Sequence, residues 1–223
     1  ALSSAASDVY KRQDETHFQD DFPTKETYGS RPYQTDSATY RDLEGLYEAM
    51  PEDQPRFVFL VSIQSHGDYD MNPPEEDIVH AATDYGEYDS IMDEYLSNIY
   101  MTDRAFGELT EYLTEQYEKT GRKVIVAMAG DHAPSFVDHV ADHTFTDENN
   151  LQILERSTPF FIWANYDIEE QTNMQISANY LSAYALNALG CSTSGFDQMR
   201  LALQQQIPVM NVNGYRLPDG TWY

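Results

Sequence analysis

The 223 residues suffice for one large domain or two small ones, and 41% of them are hydrophobic, which is ample for a core. Lys and Arg number 13 against 38 Asp and Glu, a formal net charge of -25, so the long-range field opposes nucleic acid and anionic lipid. The single cysteine, Cys191, excludes an intrachain disulfide framework and a cysteine-rich zinc site, and no apolar run approaches the length of a membrane-spanning helix.

The segment Asp8-Val-Tyr-Lys-Arg-Gln13 resembles the translation of a transposase end sequence used in preparing sequencing libraries. Residues 1–13 are therefore expected to be a non-native tail, with native sequence beginning near Asp14 and continuing upstream; the other reading is a natural flexible N-terminus. From Asp14 to Tyr33 the chain is rich in Asp, Thr, Gly and Pro and reads as an ordered surface loop. Arg31 in this loop suits either an anionic head group or a surface salt bridge. Thr35-Asp36-Ser37 then offers N-caps to a helix through about Met50, with Leu43, Leu46 and Tyr47 on one apolar face. Pro51 and Pro55 end it.

Phe57-Val-Phe-Leu-Val-Ser-Ile63 is a continuous apolar run, the pattern of a strand buried on both faces. It empties into a loop carrying His66. A long helix is predicted from Asp89 to about Glu118, with Ile91, Tyr95, Ile99, Phe106, Leu109 and Leu113 as its buried stripe and Glu94 largely off it. Gly121 is its expected C′ residue. A strand from Lys123 to Ala129 follows, so strand, helix and strand are expected to form a right-handed parallel βαβ unit.

This second strand stops at Gly130, and Asp131, His132 and Pro134 come next. A strand delivering a carboxylate and an imidazole to the carboxyl edge of an α/β sheet suits a divalent cation. The other reading is a polar turn after a core strand. The polar segment that follows carries His139 and His143, read as surface residues; His17 and His80 are read as solvated. Residues 151–156 suggest a short helix, and Thr158 to Trp163 a third strand with Trp163 in the core. Ser177 is expected to cap a helix through Leu189, and Gly195 to Gln206 forms a last amphipathic helix. Cys191 is read as a buried small residue. Pro208 to Asn213 is a short strand, and Asn213-Gly214 and Asp219-Gly220 are turn dipeptides.

Three strand-end motifs thus occur in order: Ser65-His66-Gly67, Gly130-Asp131-His132-Ala133-Pro134 and Thr158-Pro-Phe-Phe-Ile-Trp163. Together they resemble the lipoteichoic acid synthase and sulfatase-like (phosphoglycerol transferase) family of the alkaline phosphatase superfamily. Thr35-Asp36 is similar to the Ser-Asp that opens a helix there, and Tyr95-Leu-Ser-Asn-Ile-Tyr-Met-Thr-Asp103-Arg-Ala-Phe106 to its helix ahead of the Gly-Asp-His strand. Ile162-Trp-Ala-Asn-Tyr-Asp167, Ile176-Ser-Ala-Asn-Tyr180 and Ile207-Pro-Val-Met-Asn211 resemble the closing segment of its clostridial, Firmicutes-type members. The similarity runs from about Phe18 to Tyr223.

The resemblance implies an α/β, alkaline phosphatase-like fold: a mixed, mainly parallel sheet flanked by helices, truncated at the N-terminal side. Residues 14–223 would be the C-terminal part of a sulfatase-like catalytic domain. It implies one divalent metal, manganese first and magnesium or zinc otherwise, with Asp131 and His132 among its ligands. His66 would contact the phosphoglycerol group or assist proton transfer. The implied reaction moves phosphoglycerol from phosphatidylglycerol to a glycan or teichoic acid acceptor through a threonine intermediate. It would take place outside the cell on a membrane-anchored protein, behind transmembrane helices upstream of this sequence. The nucleophile and the upstream acidic ligand have no matching position here, so the fragment alone is expected to be inactive. A sulfatase or phosphodiesterase of the same fold, or a non-catalytic glycan-binding relative, stays open.

Overall fold

The computed structural model describes residues 15–141, 156–212 and 214–223. The anticipated tail over 1–13, His143 and residues 151–155 of the anticipated short helix lie outside them. The chain divides into two compact units: residues 1–112 with 134–155, and residues 113–133 with 156–223.

In the first unit, helix α1 (Asp36–Ala49) begins where the sequence places it. Thr35 is extended, and its hydroxyl accepts a hydrogen bond from the Ala38 amide, satisfying one of the free donors of the first turn. At the other end Arg56 donates to the carbonyls of Tyr47 (2.8 Å) and Met50 (2.6 Å) and stacks over the Tyr47 ring. Helix α2 (Asp89–Thr120) is entered through a 3₁₀ turn at Gly86–Tyr88. It ends at Gly121, whose φ of +70° is left-handed and whose amide bonds the Tyr117 carbonyl at 2.7 Å. The unit boundary falls between Tyr112 and Leu113, within α2. The short helix α3 (Val137–Ala141) carries His139, which stacks on Tyr88 at 4.7 Å between ring centres.

The apolar core of this unit is small: Ala38, Tyr40, Met92, Ala105, Leu109 and Phe136. Beside it lies a second buried set that is polar, including Arg31, Asp36, Gln64, Glu94, Ser97 and Asn98. Two expectations are corrected here. Ile99 is 41% exposed, while Glu94, expected off the buried stripe, is fully buried. The first half of α2 turns a polar face inward because Arg31, also buried, needs Glu94 as its partner. The second correction concerns Phe57 to Ile63. This run joins no ladder, and Phe57, Phe59 and Val61 are exposed. A strand is buried on both faces only where neighbours cover them. Among the described residues nothing pairs with it, and the strand pairs that do form are antiparallel rather than a parallel βαβ ladder.

The second unit holds strand β1 (Ile125–Ala129) paired antiparallel to β2 (Phe160–Ala164), in a register running from Ile125 opposite Ala164 to Ala129 opposite Phe160. Asn165 fixes one end of this pair. Its side chain accepts from the Val124 amide at 2.8 Å and donates to the carbonyls of Leu113 and Arg122. Helix α4 (Ala178–Ala188) buries Tyr180 and Ala183 completely. Helix α5 (Gly195–Gln206) opens with a reciprocal capping box between Ser194 and Asp197. Ser177 precedes α4 as expected, but its hydroxyl does not cap the helix: it donates to the Met210 carbonyl and accepts from the Met210 amide. That ties α4 to strand β3 (Val209–Asn211), which forms a hairpin with β4 (Gly214–Arg216). Cys191 is exposed, contrary to expectation, because it lies in the turn that closes α4, its amide bonded to the Leu186 carbonyl. Among the described residues no helix is long and apolar enough to cross a membrane.

Candidate active site

The predicted ligand pair sits just past β1, and the backbone there is held by β2. The Gly130 amide bonds the Pro159 carbonyl at 3.1 Å, and the Thr158 hydroxyl donates to the Gly130 carbonyl at 2.8 Å. A side chain at position 130 would place its Cβ only 3.0 Å from Thr158 Cβ, so glycine lets the two segments approach this closely. The next two residues are thereby delivered at the strand end, with side chains 87% (Asp131) and 73% (His132) exposed.

Their mutual geometry is specific. Asp131 Oδ1 accepts from the His132 amide at 2.9 Å, which leaves Oδ2 turned toward the imidazole. His132 Nδ1 lies 2.9 Å from the Ala133 carbonyl oxygen. A carbonyl only accepts, so this contact suits the tautomer with its hydrogen on Nδ1, in which the Nε2 lone pair is available to a metal. That Nε2 is 3.4 Å from Asp131 Oδ2. Two donors each about 2.1 Å from one divalent ion stand roughly 3.0–3.4 Å apart at octahedral to tetrahedral angles, so this pair fits a metal as two of its ligands. Among the described residues no group of three or more His, Cys, Asp or Glu is placed to hold a metal, so the pair supplies part of a coordination shell.

His66 belongs to the other unit and follows the Phe57–Ile63 run. Its ring is exposed, packs edge-on against Tyr33 at 5.4 Å, and directs Nδ1 at the Gly67 carbonyl oxygen. By the same reasoning Nε2 is the atom offered to solvent, as an acceptor when neutral and a donor when protonated. The loop beneath is tied to the unit's polar core. Gln64 Oε1 accepts from the Asp36 amide at 2.6 Å, and Gln64 Nε2 contacts Asn98 Oδ1 at 3.5 Å. Asp36 in turn accepts from the Thr102 hydroxyl at 2.6 Å; burial pushes its carboxyl up, against the stabilising pull of that hydroxyl.

Asp131 and His132 are thus brought together as the sequence suggested, and His66 stands on its own loop in the first unit. Sequence reasoning missed Arg31 and Glu94. Arg31 is 2% exposed rather than a surface cation, and it pairs with Glu94, whose other oxygen accepts from the Met71 and Asn72 amides. One signal was available. Glu94 follows Ile91 by three residues, so helical spacing sets it beside the apolar stripe, where a carboxylate requires a buried partner. His80, read as solvated, is 62% exposed and contacts Asp93 at 2.7 Å.

No curated protein matches the chain. Its structure is similar to that of the Streptococcus pyogenes phosphoglycerol transferase GacH in complex with sn-glycerol-1-phosphate, with a TM-score of 0.65 and 18% identity. The match covers 87% of this chain and 47% of that one, so this chain spans about half the length of that protein. At this identity the likeness is one of fold, and it supports the α/β, alkaline phosphatase-like architecture. The family model described as Sulfatase matches residues 3–191, which takes in both His66 and the Asp131-His132 pair. With most of its length matched, the chain belongs to the sulfatase family.

Proposed function

We propose that this chain is the C-terminal part of the catalytic domain of a metal-dependent phosphoglycerol transferase. The protein would act at the outer face of a cell membrane and carry phosphoglycerol from a phosphatidylglycerol-type lipid to a glycan or teichoic acid acceptor. The observation that carries the reading is the convergence of Asp131 Oδ2 and His132 Nε2 at 3.4 Å beyond β1. The fold shared with GacH, solved with sn-glycerol-1-phosphate, supports the choice of transferred group.

Asp131 and His132 would hold the divalent ion, most simply manganese, to which a carboxylate and an imidazole are well suited. Such an ion, when bound, supplies positive charge to phosphate oxygens and acidifies a bound nucleophile. A chain of net charge -25 needs that local positive centre if it is to receive an anionic substrate. His66 Nε2 would hold the phosphoglycerol group by a hydrogen bond or exchange a proton with the entering or leaving oxygen. The attacking threonine of the proposed mechanism is assigned to sequence outside this chain. Phosphoryl transfer depends mainly on placement and charge, and the residues named here would supply part of each.

The test is turnover by the complete protein with phosphatidylglycerol carrying a labelled head group. Release of diacylglycerol with label in a glycan or polymer is expected, and loss of both in His66→Ala. Cleavage of aryl sulfate esters with no release of diacylglycerol would instead establish a sulfatase.

A further inference from the structure

The five successive carbonyls from Gln64 to Asp68 all accept hydrogen bonds from side chains. Arg31 Nη2 donates to Gln64 O (3.2 Å) and His66 O, and Nη1 donates to Asp68 O (3.0 Å). The Tyr69 hydroxyl donates to Ser65 O at 2.7 Å and the Tyr33 hydroxyl to Gly67 O at 2.9 Å. Both tyrosine rings also face the Arg31 guanidinium, at 5.4 and 5.5 Å. Arg31 itself is 2% exposed and fixed by Glu94.

We infer that Arg31, with Tyr33 and Tyr69, forms a positioning clamp that sets the tautomer and direction of His66. A free loop of this kind would satisfy its carbonyls with water and sample many conformations. Here the inward donors fix every carbonyl, and the planar guanidinium fork spans three of them at once, which a lysine ammonium does not reproduce. The Gly67 carbonyl, placed by Tyr33, then takes the hydrogen on His66 Nδ1. Nε2 is left as the free atom, and the Tyr33 ring edge limits rotation of the imidazole. Glu94 neutralises the buried cation, so the clamp acts through geometry rather than net charge. The functional consequence rests on the proposed role of His66, but the clamp is measurable without turnover.

The test is nitrogen-15 NMR of the histidine-labelled chain, with the His66 ring assigned by its loss in His66→Gln. The wild type should show His66 as the neutral Nδ1–H tautomer. In Arg31→Lys the ratio of Nδ1–H to Nε2–H tautomer should fall at least about twofold, while His132, in the other unit, is unchanged. A second variant, Tyr33→Phe/Tyr69→Phe, keeps the Arg31–Glu94 pair and should shift the ratio in the same direction, which covers the case in which Arg31→Lys does not fold. A His66 that is mainly Nε2–H in the wild type, or a ratio unmoved in the folded variants, overturns the clamp. If the clamp holds but His66→Ala leaves lipid turnover intact in the complete protein, the role proposed for His66 in the reaction fails and the positioning stands.

Discussion

Arg31 and Glu94 form an ion pair whose side chains retain 0% and 1% of their solvent exposure. Removing one member strands the other as a buried charge, for which the cost is several times that of a surface pair. Arg31→Met is therefore expected to lower the unfolding free energy by about 3–5 kcal/mol. Urea denaturation checks this. A loss below about 1 kcal/mol, the range of an exposed pair, would contradict the burial of the pair.

Asp77 gives the first unit a pH dependence of unusual sign. Burial, with the nearby charges of Glu94 and Asp93, pushes its carboxyl up to about 6, against the opposing pull of His80 and the Tyr28 hydroxyl. The folded state then holds a proton that the unfolded chain, with a carboxyl near 3.9, has already lost. This contribution to stability is complete below about pH 4 and is lost as pH rises through about 6. Asp36, also raised by burial, acts in the same direction. Asp77→Asn should match the wild type in melting temperature at pH 4 and exceed it at pH 7. Parallel pH profiles for the two proteins would count against this assignment.

Phe59 is 69% exposed in a segment that pairs with no strand among the described residues. Phe59→Lys should change the stability of this chain by no more than about 0.5 kcal/mol, as at other surface positions. A core strand would instead lose about 3–5 kcal/mol on truncation of a phenylalanine. Equilibrium denaturation of the variant separates the two.

Much of this architecture was legible in the sequence, because caps and periodicity are local. Thr35 and Gly121 mark helix ends that the structure reproduces. The strand-end pair was legible for the same reason: a glycine, two ligand-type side chains and a proline follow an apolar run. What escaped was tertiary. Phe57 to Ile63 reads as a buried strand because composition reports the burial a segment is suited to, not the neighbours it finds. Arg31 reads as a surface cation because its partner lies 63 residues away on α2. Cys191 reads as buried because its residue type usually is, whereas a helix-closing turn puts it outside.

The central claim is that Asp131 and His132 are ligands of one divalent ion, and manganese titration of the complete protein, followed by electron paramagnetic resonance and calorimetry, tests it most directly. The wild type should bind one manganese ion, and Asp131→Ala should abolish that binding while circular dichroism stays unchanged. His132→Ala should weaken it in the same way. Manganese binding that is equal in the wild type and Asp131→Ala, or absent from a wild type that is active without metal, would contradict the account.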